Sequence, residues 1–299
     1  MQFRYTNLAC LQVILKRQAL AKLNLGLHVL RKRPDGYHDL ETVFLRILWA
    51  DVLTVRPSRR VGLTCSDSTL TTDETNLVMK AALRLAEAYD VEQGAALHLD
   101  KRLPHGAGLG GGSSDAAATL RLLADFWKLD TPEETLRALA LALGSDVPFF
   151  LGPDAAYATG RGEILTPLHD PATGALYQLP YALVVVVPPV RVSTAEAYAR
   201  VRPHATDRPD LRALVLSDDL ARWRAALVND FEKPVFEVLP AIRAVKEDLL
   251  EAGAGYAAMS GSGSAVFGVF EDEDKATAAA EDARRQGHRV WQGAPHFGF

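Results

Sequence analysis

Between Pro104 and Ala117 the chain reads PHGAGLGGGSSDAA, with glycines at 106, 108, 110, 111 and 112. Such a run removes β-carbons where another group must come close to the backbone. It passes through Ser113 and Ser114 directly into an alanine-rich segment, predicted helical from about Ser114 to Trp127, with Ala117, Leu120 and Ala124 at helical spacing. A flexible linker has no reason to end in an amphipathic helix. A helix start has unpaired N–H groups and about half a positive charge, so loop and helix together predict a backbone cradle for phosphate.

The common phosphate folds can be sorted by what surrounds the loop. Gly106–Gly111 satisfies G-x-G-x-x-G, but Asp100-Lys101-Arg102 and Pro104 stand where a dinucleotide fold needs a buried strand. The acids about 20 residues on, Asp125 and Asp130, fall in or just after the helix. No Lys-[Ser/Thr] follows the last glycine, which excludes a Walker A loop, and H-R-D and D-F-G are absent.

Length and charge narrow the class further. At 299 residues the chain exceeds what one core usually serves, so two domains are expected. Lys+Arg 33 against Asp+Glu 37 argues against a nucleic-acid coat, which needs a basic surface. Two cysteines, Cys10 and Cys65, give neither a disulfide framework nor a cysteine zinc site, and no H-E-x-x-H occurs. No apolar run reaches the roughly 18 residues of a membrane span. Leu8–Leu15 followed by Ala19-Leu20-Ala21 imitates a signal peptide, but Gln12 interrupts it and Lys16-Arg17 follow it. A cytoplasmic protein is expected, with residues 1–18 as an extension without defined structure.

Along the chain, Ala21–Leu30 and Leu40–Leu48 alternate as strands about an Arg33–Gly36 turn, and Asn76 caps a helix reaching Tyr89. Ala95–Leu99 is a short strand. Thr131-Pro132-Glu133-Glu134 predicts a capping box opening a helix that ends at Gly144. Tyr157–Thr166 reads as a hairpin. Strands Tyr181–Val187, Ala265–Phe270 and His288–Trp291 follow, with helices over Thr194–Asn229, Ala241–Glu251 and Lys275–Gln286. These elements predict an α+β chain with a ferredoxin-like second half. The division is expected near 168–180, giving domains 19–174 and 175–299.

Three blocks lie in order: Ala21-Lys22-Leu23-Asn24-Leu25, the glycine loop, and MSGSGSAVFG at Met259–Gly268. Together they resemble the GHMP kinases, over nearly the whole chain. Leu20 departs from the family pattern, which has proline there. Pro34–Phe44 (PDGYHDLETVF) and Gly144–Phe150 (GSDVPFF) are similar to the branch that phosphorylates the 2-hydroxyl of a cytidyl diphosphate polyol in non-mevalonate isoprenoid synthesis.

The resemblance implies a two-domain α+β fold of an S5 domain 2-like half and a ferredoxin-like half, with the active site between them. It implies ATP as phosphoryl donor along Pro104, His105, Gly106, Ala107, Gly108, Leu109, Gly110, Gly111, Gly112, Ser113 and Ser114, with Asn76 and Lys101 toward the adenine. Asp146 would be the general base and Lys22 its cationic partner; Asn24, Tyr37, His38 and Thr194 would contact the cytidyl substrate. Each has a plainer reading too: Asp146 as a turn or cap residue, Lys22 as a strand-edge lysine, Tyr37 and His38 as surface residues, Asn76 and Thr194 as helix caps. A magnesium ion would accompany ATP, with Asp115 and Glu163 as acids at hand and no ligand set identified. Neither nucleic acid nor membrane is an expected partner. The rivals are a homoserine- or mevalonate-type kinase and a nucleotide-binding regulator without activity.

Overall fold

The computed structural model describes residues 14–294; the start of the decoy segment and Cys10 lie outside them. Strand β1 (Leu15–Lys32) pairs antiparallel with β2 (His38–Ser58) along most of its length. Both are far longer than their alternating cores predicted. Residues 15–18, expected to lie outside the fold, pair with Val52–Val55, because β2 continues past Leu48 and offers them a partner.

The other edge of β2 is divided. Its first part pairs with β5 (Ala155–Thr159), and its last part with β4 (Gly94–Asp100). Strands β3 (Gly62–Cys65) and β6 (Ile164–Pro167) complete the six-stranded sheet. Helices α1 (Leu77–Ala88), α2 (Gly111–Trp127) and α3 (Glu133–Leu143) cover one face through Val78, Leu85, Leu120, Leu123 and Leu136.

Two helix starts differ from expectation. α2 begins at Gly111, three residues early, because Gly110 takes φ 69° and turns the chain into the helix there. The capping box at α3 does not form: Pro132 is still extended at ψ 144°, and the buried Thr131 hydroxyl finds no partner. The acids Glu133 and Glu134 still favour that end through the helix dipole.

The second sheet has the order β10-β7-β9-β8: Arg289–Gly293, Ala182–Val187, Val266–Phe270 and Tyr256–Met259. All its pairings are antiparallel, in the ferredoxin-like order. β8 was not foreseen; four residues between Gly255 and Ser260 are too few to show a period. The continuous apolar run of β7 has a packing reason. Val184 and Val186 face helices α8 (Pro240–Glu251) and α9 (Glu273–Arg285), while Leu183, Val185 and Val187 join the other core. That other core holds Ala21, Leu23, Leu25 and Leu45 of the first sheet, so one apolar seam ties the halves together. Four further helices, α4 (Thr194–Arg200), α5 (Leu211–Val215), α6 (Leu220–Ala226) and α7 (Glu232–Val238), fill the crossover from β7 to α8.

The connecting segment is not a loose linker. Asp170–Gly174 makes a tight turn, while Leu168, Tyr177 and Leu179 are buried in the shared core. We propose this turn as the division between the halves.

Candidate active site

A cleft of about 1030 Å³ opens where the two sheets meet. Lys22, Asn24, Tyr37, His38, Asp146 and Thr194 all line it, with Gly106, Gly108, Gly110 and Ser113 of the glycine loop. Residues from β1, the β1–β2 turn, the α3 exit and α4 therefore reach one space.

The glycine loop alternates. Gly106, Gly108 and Gly110 face the cleft, while Ala107 and Leu109 are buried in the core. It is pinned on both flanks: Lys22 N donates to Leu109 O at 3.0 Å, and Ala265 N to Ala107 O at 3.0 Å. Gly108 has no room for a side chain, since a β-carbon would stand 2.0 Å from Ser260 O at φ 79°. The third block thus shapes the loop by contact. At α2 the first internal bond runs from Ser114 N to Gly110 O, and no side chain caps the helix, so the N–H groups of Gly111, Gly112 and Ser113 remain for an anion. Ser114 itself is spent: its N–H is paired, and its side chain lines a separate cavity beside Arg46 and Arg121.

Lys22 is 4% exposed. Its Nζ donates to Asn24 Oδ1 and to Gly108 O at 3.2 Å, lies 5.1 Å from the Phe44 ring centre, and stands 3.9 Å from Asp146 Oδ2. Burial holds its pKa below the ordinary lysine range, and Asp146 pushes it back up. Asn24 donates from Nδ2 to Thr42 Oγ1 at 3.0 Å. Asp146 begins the 3₁₀ turn Val147–Leu151, yet its side chain makes no capping bond. Asp146 is a turn residue, as its plainer reading had it, but its side chain does no capping.

On the other wall, His38 stacks on Tyr198 with ring centres 4.9 Å apart, and Phe231 meets Tyr198 edge-on at 4.8 Å. Burial, then Lys32, lowers the His38 pKa, leaving a neutral ring with one donor and one acceptor nitrogen. Burial and the Asp146 charge push the Tyr198 phenol up to about 12. Tyr37 is 57% exposed, with the Arg161 guanidinium 4.9 Å from its ring centre. Thr194 shares a 3.0 Å hydrogen bond with Ser262, which also lines the cleft; Ser193, not Thr194, caps α4.

Tyr198 and Arg161 were missed as cleft residues. Tyr198 lies one helical turn after Thr194, on the same face, which is the spacing that could have found it. Arg161 is a lone cation between two turn glycines.

Asn76 and Lys101 do not reach the cleft. Asn76 accepts from Val78 N at 2.9 Å and donates to Thr71 O at 2.7 Å. Lys101 Nζ lies buried between Asp51 Oδ2 (2.6 Å) and Asp115 Oδ2 (2.7 Å), directly behind Gly111. Asp51 also accepts from Arg102 N and Leu103 N, which leaves Asp115 the less satisfied acid, with Oδ1 unpaired. Burial raises the Asp115 pKa to about 7. Pro104 and His105 sit at the loop entrance, where His105 meets Arg191 at 3.3 Å. Among the described residues no three His, Cys, Asp or Glu side chains gather for a metal. Asp115 is tied to Lys101, and Glu163 accepts from Arg161 N, so these acids do not fit as a magnesium cage.

A loop of backbone donors, a buried amine and a carboxylate open to the same cleft are the parts that phosphoryl transfer asks of a protein. The models of the GHMP kinase N-terminal domain and C-terminal domain match residues 76–152 and 211–289. The chain belongs, more narrowly, to the 4-diphosphocytidyl-2-C-methyl-D-erythritol kinases. It is 55% identical to that kinase of Salinibacter ruber, over 90% of this chain and 95% of the relative, and 48% identical to that of Chlorobium phaeobacteroides, over 88% and 91%. A crystal structure of 4-(cytidine 5'-diphospho)-2C-methyl-D-erythritol kinase superposes with TM-score 0.77 at 38% identity, covering 93% of this chain and 98% of that one. Homoserine kinase from Cytophaga hutchinsonii, at 18% identity and TM-score 0.69 over 98% and 97%, shares the fold.

Proposed function

We propose that the protein transfers the γ-phosphoryl group of ATP to the 2-hydroxyl of 4-diphosphocytidyl-2-C-methyl-D-erythritol. The observation that carries this is the Lys22–Asp146 pair at 3.9 Å, on the same cleft as the glycine loop and the His38–Tyr198 stack. The loop and the α2 N-terminus hold the triphosphate through backbone N–H groups. Asp146 takes the hydroxyl proton as that oxygen bonds to the γ-phosphorus and the bond to the β,γ-bridging oxygen breaks, releasing ADP. The Lys22 ammonium offsets charge on the transferring oxygens. Tyr37, His38 and Tyr198 receive the cytosine, the rings by stacking and the neutral imidazole at a base edge. Magnesium would arrive with ATP, and its contacts would fall to phosphate oxygens and water.

The test is ATP turnover by the purified protein with the cytidyl substrate, homoserine or mevalonate offered in turn. Turnover is expected with the first alone. Equal activity with mevalonate, or none with any acceptor, would overturn the reading.

A further inference from the structure

Asn229 is buried, lies outside every block that the sequence singled out, and makes three hydrogen bonds. Its Nδ2 donates to Met259 O at 2.7 Å and Gly261 O at 2.8 Å, and its Oδ1 accepts from Phe231 N at 3.0 Å. The segment around it is fastened to β1, with Leu27 N donating to Val228 O and Asp230 N to Leu27 O, both at 2.9 Å.

The donated bonds and the accepted bond lead to different walls of the cleft. Between Met259 and Gly261 stands Ser260, whose hydroxyl donates to Gly108 O at 2.9 Å and accepts from Asn24 N at 3.2 Å. Gly108 O is also an acceptor for Lys22 Nζ. On the other side, Phe231 lies edge-on to Tyr198, which stacks on His38.

We propose that Asn229 is a positioning residue serving both substrates from one side chain. Its two N–H bonds set the Met259–Gly261 turn against the glycine loop and Lys22, and its oxygen sets Phe231 and so the Tyr198 stack. The two tasks use different atoms, which makes them separable. A buried amide that merely satisfied backbone groups would show no such split. The inference rests on the functional reading above; wild-type turnover of the cytidyl substrate checks that reading first, so failure of one is distinguishable from failure of the other.

Asn229→Asp keeps an acceptor for Phe231 N but sets a carboxylate against two carbonyl oxygens. Its kcat is expected to fall about 10- to 100-fold with a raised KM for ATP, while KM for the cytidyl substrate stays within about threefold. Ser260→Ala, which cuts the relay to Gly108, should reproduce that ATP-side pattern even where Asn229→Asp folds poorly. Phe231→Leu keeps both donated bonds and loses the edge contact. Its KM for the cytidyl substrate should rise about tenfold, with KM for ATP within about twofold. Thermal unfolding of each variant accompanies the kinetics. Proportionate loss of both substrates' affinities in all three variants, tracking lost stability, would overturn the proposal.

Discussion

The Lys22 ammonium stands 3.9 Å from the Asp146 carboxylate, near enough for the carboxylate to favour the charged amine and beyond a direct hydrogen bond. Lys22 is held by Asn24 and Gly108 O, whereas Asp146 is half-open to the cleft and has no capping duty. The cation is fixed, and the acid is left for an incoming group.

Asp146→Asn keeps the shape and removes the proposed base. Its kcat is expected to fall about 10²- to 10⁴-fold. ATP affinity measured by calorimetry should change by no more than about threefold, because the base acts in the chemical step. Large loss of ATP affinity would instead make Asp146 a binding group.

The depressed Lys22 pKa has a directional consequence. Rising pH removes its proton earlier than from a lysine in water, so kcat should decline on the alkaline side before the ordinary lysine range is reached. A kcat–pH profile flat through that range would contradict the role of the ammonium.

Two glycines of the loop should respond differently to alanine. At Gly106, φ is 69° but no atom lies within 4 Å of a new β-carbon, so the cost is the left-handed backbone alone, about 1–2 kcal/mol. At Gly108 the β-carbon meets Ser260 O, so the loop must move. Gly108→Ala should therefore weaken ATP binding about tenfold or more, with Gly106→Ala near wild type in kcat. Calorimetry and steady-state kinetics on the pair decide it.

Asp115 titrates in the fold near pH 7, above an ordinary carboxylate. Folding thus favours its neutral form. That contribution is full below about pH 4 and lost as pH rises through about 7. Urea midpoints should fall between about pH 4 and 7 in the wild type and level off above, and Asp115→Asn should remove this slope.

Tyr198→Leu removes the ring that His38 stacks upon. Base–aromatic stacking is worth about 1–3 kcal/mol, so KM for the cytidyl substrate should rise about 5- to 150-fold with little change in KM for ATP. Equal effects on both would remove Tyr198 from the acceptor wall.

Much of the candidate cleft was legible because its blocks are short and local. The glycines of the loop, Lys22 with Asn24 on one strand face, and Tyr37-His38 after a turn each follow from neighbours in the chain. Tyr198 and Arg161 belong to ordinary helix and hairpin grammar, and only their placement at the cleft marks them. Asn76 and Lys101 went the other way. A capping asparagine and a lysine between two buried acids satisfy local needs that the sequence does not distinguish from ligand contacts.

The sequence by itself determined the strands and helices with clear period, the glycine run that opens a helix and the family, since these depend on residues within a few positions of one another. Tertiary structure decided which charge faces which. Lys22 meets Asp146 and Lys101 meets Asp51 and Asp115 within the first half, Asn229 reaches Met259 and Gly261 within the second, and Ser260 meets Gly108 where the two sheets close on their shared apolar seam. Hydrophobic burial drives that closure without regard to the polar groups it carries, so their final partners are set by geometry and not by spacing along the chain.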